Sequence, residues 1–369
     1  MKVLIVSVDL GDPDFAAHSD EFAMLARGTG AEISARLLVR RAHPDATYFI
    51  GSGKLLEAIE LADAAGVDAV LFDRPLSPAQ QRNLERRLER PVIDRVGVIL
   101  DIFALRAKSR EGKLQVELAR LQYLSTRLTR LWSHLERQRG GIGARSGPGE
   151  AQLEMDRRII GDKVRGLRGQ LDRVQRQRVT QRRARARGKT LSVSLVGYTN
   201  AGKSTLFNAL TRAGAYTADQ LFATLDTTTR RLWIDGAGTV VVSDTVGFIR
   251  DLPPTLIAAF RATLEETIHA DLLLHVVDAA SAQRDEQIAA VEQVLGDIGA
   301  GETRCIQVYN KIDLMGYAPR VERDEHGTIV RVFVSALERG GLDGLRGAII
   351  ESGRTAGNNA PTIEHTEFE

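Results

Sequence analysis

An apolar run, "LSVSLV" from Leu191 to Val196, stops at Gly197-Tyr198-Thr199-Asn200-Ala201-Gly202-Lys203-Ser204, and helix-like sequence resumes at once with Thr205. A G-x-x-x-x-G-K-[ST] spacing between a strand and a helix predicts a phosphate-cradling loop. Its glycines let the backbone curl so that several N–H groups converge on a β-phosphate. Lys203 is then expected to span the β- and γ-phosphates, and the Ser204 hydroxyl to ligate Mg²⁺. The sheet that carries such a loop is expected to be mostly parallel and flanked by helices.

Three further pieces follow in the order a nucleotide switch requires. "VVVSDTVGF" carries Asp244-Thr245-Val246-Gly247. Its carboxylate is expected to hold Mg²⁺ through water, and the Gly247 N–H to sense the γ-phosphate. "CIQVYNKID" carries Asn310-Lys311 and Asp313. A carboxylate there can accept both N1–H and N2–H₂ of guanine, a pair adenine does not offer, and a site built on paired bonds rejects the analogue lacking them. "VFVSAL" supplies Ser335, Ala336 and Leu337, whose backbone is placed to reach the guanine O6. Together these specify GTP and GDP over adenine nucleotides.

Between the loop and Asp244 lies "DQLFATLDTTTRR", where a threonine completes the Mg²⁺ shell only when the γ-phosphate is present. Thr224, next to Phe222 and Ala223, is the favoured candidate; Thr227, Thr228 and Thr229 compete, their alternative role being to open the next strand. The expected metal ligands are Ser204, Thr224 and Asp244, and the expected catalytic group is Lys203, Thr224, Gly247 and Asn200. Phe248 stands where many GTPases carry a water-orienting glutamine, so unaided hydrolysis should be slow. The Asn200 side-chain oxygen either helps bind a monovalent cation, K⁺ for example, or merely braces the loop.

Residues 1–104 alternate apolar runs ("KVLIVSV", "DAVLFD") with amphipathic stretches ("GKLLEAIELADAAG", "PAQQRNLERRLER"), the pattern of a small α/β domain. Its "GSGK" at Gly51–Lys54 lacks the full glycine spacing and the hydroxyl, and reads better as a helix N-terminus, with weak phosphate affinity left open. Residues 105–187 read as two long helices. Leu114, Leu118, Leu121, Leu128, Leu131 and Leu135 mark one, and Ile160, Val164, Leu167, Leu171 and Val174 the other, at the spacing of an antiparallel coiled-coil hairpin. The first arm would extend about 37 Å at 1.5 Å per residue. A glycine-rich loop, 140–150, lies at its tip.

Net charge is only +2, yet Leu105–Thr190 holds 23 Lys/Arg against 8 Asp/Glu. Such a block suits a polyanion such as nucleic acid, or a solvated helical face. The remaining domain spans 188–353, and the polar tail 354–369 is expected to be disordered. The lone Cys305 excludes an intrachain disulfide and is expected to be a buried, inert thiol. No apolar run approaches the roughly 18 to 20 residues of a membrane helix, which makes a cytoplasmic protein the default.

These motifs, with "DRVGVILDIFALRAKSREGKLQVELARLQY", "GGIGARSGPGEAQLEMDRRII" and "LFATLDTTTRRL", resemble the HflX-type ribosome-associated GTPases over about residues 30 to 350. The resemblance implies an α/β architecture: an N-terminal α/β domain, a basic helical hairpin and a P-loop GTPase domain. It implies a GTP hydrolase, monomeric off the ribosome, that binds the large subunit and its rRNA near the peptidyl transferase centre. In its GTP form it would split stalled or idle 70S ribosomes. It also implies that the aromatic Phe248 is a family trait, and Asn200 one used with potassium. Arg139, Arg145, Arg157 and Arg158 are then the expected RNA contacts. Two departures stand out. Ser146 separates Arg145 from Gly147-Pro148-Gly149-Glu150, and the further C-terminal domain of some members is not expected after residue 353. The alternatives are a large-subunit assembly factor sharing this chemistry, and a nucleotide-gated RNA-binding module.

Overall fold

The computed structural model describes residues 1–129, 148–187, 190–211, 221–251, 253, 256–257 and 261–358. Arg139, Arg145, Ser146, most of the 140–150 tip and the tail from 359 lie outside them, as do Leu131 and Leu135 of the first leucine stripe. Contacts divide the chain into two compact units, Met1–Val174 and Gln175–Glu369.

In the first unit, β1 (Lys2–Asp9), α1 (Phe15–Gly28), β2 (Glu32–Arg40), α2 (Ser52–Ala65), β3 (Ala69–Phe72), α3 (Pro78–Leu88) and β4 (Val92–Asp94) alternate as the sequence pattern predicts. The four strands form an all-parallel sheet in the order β2-β1-β3-β4. Both faces of β1 are buried, which is why its apolar run is continuous rather than alternating. Leu4, Val6 and Val8 share one core with α2 and α3. The "GSGK" segment is a helix start, as expected: Gly51, at φ 80°, precedes the first residue of α2. Ser77 opens α3 with a full capping box to Gln80, and Pro78 takes the first turn, where its missing N–H costs nothing.

Helices α4 (Arg95–Arg106) and α5 (Arg110–Thr129) follow. Asp94 caps α4 by accepting from Gly97 N at 3.0 Å. The same buried carboxylate accepts from Tyr123 Oη at 2.8 Å and Arg127 Nη2 at 2.5 Å, so α5 is fastened to the end of the sheet. The first of the two expected helices is docked along this stretch: Val116, Leu118 and Ala119 are buried and α5 contacts α4. Helix α6 (Pro148–Arg187) starts at a proline, a residue tolerated in the first turn of a helix. On it, Leu167 is buried and Ile160, Val164, Leu171 and Val174 are half-buried, while Arg157, Arg158, Arg165, Arg168 and Arg173 are exposed. The apolar stripe and the basic solvated face are both present.

The second unit contains β5 (Leu191–Val196), α7 (Lys203–Thr211), β6 (Thr228–Ile234), β7 (Gly238–Asp244), α8 (Arg261–Ile268), β8 (Leu272–Asp278), α9 (Arg284–Ile298), β9 (Cys305–Asn310), β10 (Arg320–Arg323), β11 (Ile329–Phe333) and α10 (Leu342–Asn358). Among the described residues these strands form a seven-stranded sheet, β10-β11-β9-β8-β5-β7-β6, antiparallel only at its two edge pairs. The carboxyl ends of β5, β7 and β9 lead into motif residues, as ligand sites of open α/β sheets do.

Two expectations need correcting. Cys305 is exposed, because it is the first residue of β9, where the strand emerges. Crowding by neighbouring atoms and the charge of Glu292 still push its thiol up to about 11, so it holds its proton at neutral pH. Helix α10 also runs to Asn358, past the expected end at residue 353: Arg354, Thr355 and Ala356 are tolerated in a helix, and the first breaker is Pro361.

Candidate functional site: a nucleotide cleft at the carboxyl ends of β5 and β7

Gly197 leaves β5 at φ 147°, and a Cβ there would lie 2.2 Å from Val276 O. Gly202 sits at φ 90°, where a Cβ would lie 2.2 Å from Asn310 Nδ2. Both positions demand glycine by conformation and by space. Between them Asn200 adopts φ 62°, a left-handed geometry that asparagine tolerates better than most residues. Helix α7 then begins at Lys203, with its unpaired N–H groups and positive dipole end at the cleft.

Thr199, Asn200, Gly202, Lys203, Ser204 and Thr205 line a solvent-open cleft together with Phe222, Ala223, Thr224, Thr245 and Gly247. Lys203 Nζ donates to Gly197 O at 3.0 Å and Tyr198 O at 2.7 Å. Burial lowers its pKa to about 8, partly opposed by the negative charge of Asp244. Anionic phosphate oxygens would restore a favourable partner for this ammonium.

Opposite the lysine, Ser204 Oγ donates to Asp244 Oδ2 at 2.7 Å and Thr224 Oγ1 to the same oxygen at 3.1 Å. The two hydroxyl oxygens are 2.7 Å apart. Three hard oxygens thus converge, a donor set of the kind Mg²⁺ takes. Burial raises the pKa of Asp244, while the Ser204 bond, Lys203 and the Thr224 bond lower it. The structure brings Thr224 to this cluster; Thr228 and Thr229 begin β6, and Thr229 Oγ1 instead meets Ser243 Oγ at 3.1 Å.

Gly247 packs against the loop so closely that a Cβ would lie 2.8 Å from Thr199 Cγ2 and 3.0 Å from Lys203 Nζ. The next residue is stitched to the loop through its backbone: Phe248 N donates to Gly197 O at 3.1 Å and Phe248 O accepts from Thr199 N at 2.7 Å. Arg250 N donates to Tyr198 Oη at 2.8 Å. The Phe248 ring is buried, and Val246 and Ala201 are buried as well.

At the base-recognition end, Asn310 Nδ2 donates to Ala201 O at 3.0 Å, and its Oδ1 accepts from Ala336 N at 2.9 Å. One side chain therefore joins the phosphate loop, β9 and the Ser335-Ala336 turn. Lys311, at φ 65°, donates to Asp278 Oδ2 at 2.7 Å. Asp278, at the end of β8, carries no motif of its own and was not singled out from the sequence; its place at a strand's carboxyl end is the signal that could have found it. Asp313 lies in the short 3-10 turn Ile312–Met315, and its buried Oδ1 has no hydrogen-bond partner among the described residues. Thr199 Oγ1 is in the same condition. Such orphaned acceptors fit a ligand bearing donors. Ser335 is buried and Leu337 exposed. Arg157 and Arg158 are exposed on α6, in the other unit.

Profiles described as GTP-binding GTPase N-terminal, GTP-binding GTPase Middle Region and 50S ribosome-binding GTPase match residues 16–104, 106–185 and 192–311. GTPase HflX of Escherichia coli (strain K12) is 52% identical over 332 residues, 90% of this chain and 78% of that protein. The chain belongs to the HflX family of GTPases. GTPase HflX of Magnetococcus marinus is 49% identical over 307 residues, 83% of this chain and 71% of that protein. The crystal structure of a complex between SsGBP and GDP has a TM-score of 0.52 at 23% identity, over 96% of this chain and 99% of that one, a likeness of fold. The chain is thus a guanine-nucleotide-binding GTPase, and this cleft is its candidate nucleotide site. Among the described residues, no helix is long and apolar enough to cross a membrane.

Proposed function

We propose that this HflX-family GTPase is a switch that docks on the large ribosomal subunit in its GTP form and separates 70S ribosomes into subunits. The observation that carries the switch is the shared carboxylate of Asp244, on which Ser204 of the phosphate loop and Thr224 of the segment before β6 converge. Support for the ribosomal partner comes from the profile described as 50S ribosome-binding GTPase over residues 192–311, and from the basic block of 23 Lys/Arg against 8 Asp/Glu.

In this reading Ser204, Thr224 and Asp244 hold Mg²⁺, which when bound offsets the negative charge of the β- and γ-phosphates. Lys203 exchanges its two carbonyl partners for phosphate oxygens. The Gly247 N–H senses the γ-phosphate, at a position with no room for a side chain, and releases its loop after hydrolysis. Asp313 reads N1–H and N2–H₂ of guanine, while Asn310 and Lys311 brace the base pocket. Asn200 lines the phosphate cavity, where its side-chain oxygen would hold a monovalent cation if one is bound. Hydrolysis is expected to be several-fold slower in sodium than in potassium; equal rates in the two salts would leave Asn200 only a bracing role.

The docking step is tested by co-sedimentation. Protein loaded with a non-hydrolysable GTP analogue should pellet with purified large subunits, and GDP-loaded protein should remain largely in the supernatant. Equal recovery in both nucleotide states contradicts the switch. Reversing Arg139 and Arg145 to glutamate should weaken ribosome binding about tenfold or more, since each lost phosphate contact also forfeits counterion release. The affinity of the isolated protein for GTP should not change, and a loss there would place the arm against the nucleotide site instead.

A further inference from the structure

Among the described residues, strand β6 is an edge of the seven-stranded sheet and pairs with β7 on one side only. Alternate residues of a strand share a face. Leu232 and Ile234 pack into the core cluster of this unit, which puts Thr229, Arg231 and Trp233 on the opposite face. Trp233 is 70% exposed, the largest aromatic surface among the described residues. Its indole Nε1 donates to Asp235 Oδ1 at 3.0 Å, so the ring is held by one edge. Thr239, its cross-strand partner, is exposed too. Arg230 and Arg231 are both exposed; Arg230 donates to Thr229 O at 3.1 Å, and neither forms an ion pair among the described residues.

We propose that Trp233 and Arg231 form a platform for single-stranded RNA, with an unpaired base stacked on the indole and a flanking phosphate on the guanidinium. A protein partner would be expected to find apolar neighbours around the ring, whereas this ring is set among arginine, threonine and one aspartate. Stacking is tolerant of base identity, and guanidiniums supply the phosphate contacts. A duplex keeps its bases stacked on one another and offers none to the ring. The location adds a consequence: β6 starts just past Thr224 and β7 ends at Asp244, so bound RNA would grip the hairpin that joins two walls of the nucleotide cleft. This site is independent of whether ribosomes are split.

The test uses the full chain carrying Trp132→Phe, which leaves Trp233 as the sole tryptophan of the two in the sequence. A short oligoadenylate should quench Trp233 emission saturably, while a duplex RNA and inorganic polyphosphate should not. The variant Arg231→Glu should shift the quenching midpoint about fivefold or more to weaker binding. In the converse variant Trp233→Phe, which retains Trp132, that quenching should vanish. The proposal is overturned if oligoadenylate leaves Trp233 emission unchanged, if polyphosphate or duplex quenches it equally, or if the charge reversal leaves the midpoint in place. Quenching that survives in Trp233→Phe overturns it as well.

Discussion

Asp313→Asn is expected to transfer the preference of this chain from guanosine to xanthosine triphosphate. The buried Oδ1 of Asp313 has no partner among the described residues, so its hydrogen-bonding capacity is held in reserve for the base. A carboxylate accepts two bonds from guanine N1–H and N2–H₂. An amide presents one acceptor and one donor, which matches xanthine N1–H and its C2 carbonyl and sets a donor against the guanine amino group. Hydrogen bonds to a charged acceptor contribute about 1.5 to 3 kcal/mol each, so GTP affinity should fall by at least about a hundredfold while the affinity for xanthosine triphosphate rises. Competition of the two nucleotides for the purified variant measures this, and unchanged GTP selectivity would remove Asp313 from base recognition.

Purified large ribosomal subunits are expected to accelerate hydrolysis by about a hundredfold or more, within the span over which a partner-supplied group stabilises phosphoryl transfer. The residue after Gly247 is the cause. The Phe248 ring is buried, and its backbone N–H and C=O are engaged by Gly197 and Thr199, so it has nothing polar left to orient water. On the proposed roles, Lys203 would position phosphates and Ser204, Thr224 and Asp244 a metal, which still leaves the isolated chain without a group that aligns the nucleophile. A single-turnover assay with and without large subunits measures the difference. A fast isolated rate, unaffected by subunits, would mean that another residue of this chain does that work.

Much of the site was legible because local chemistry dictates it. Gly197 and Gly202 are fixed by positive φ and by the approach of Val276 O and Asn310 Nδ2, and their spacing alone announced the loop. Thr224 was harder, since four threonines lay within six residues and only three-dimensional placement sets one of them on the Asp244 carboxylate. Asp278 and the Phe248 stitch depend on which strands become neighbours, a property of topology that no local window carries. The docking of α5 escaped for a related reason. The leucine stripe announced a helix, while the partner of Tyr123 and Arg127, Asp94, lies in another element. Cys305 shows the limit of reading burial from apolar neighbours: Ile306 and Val308 are buried and the strand's first residue is not.

The most direct measurement is the sedimentation of purified 70S ribosomes incubated with the chain in the presence of a non-hydrolysable GTP analogue. If the chain splits ribosomes, 70S particles decrease and free subunits increase in proportion to added protein, with no such shift when GDP replaces the analogue. Unchanged subunit ratios, with the chain migrating instead with large-subunit precursors, would contradict ribosome splitting and make this GTPase an assembly factor.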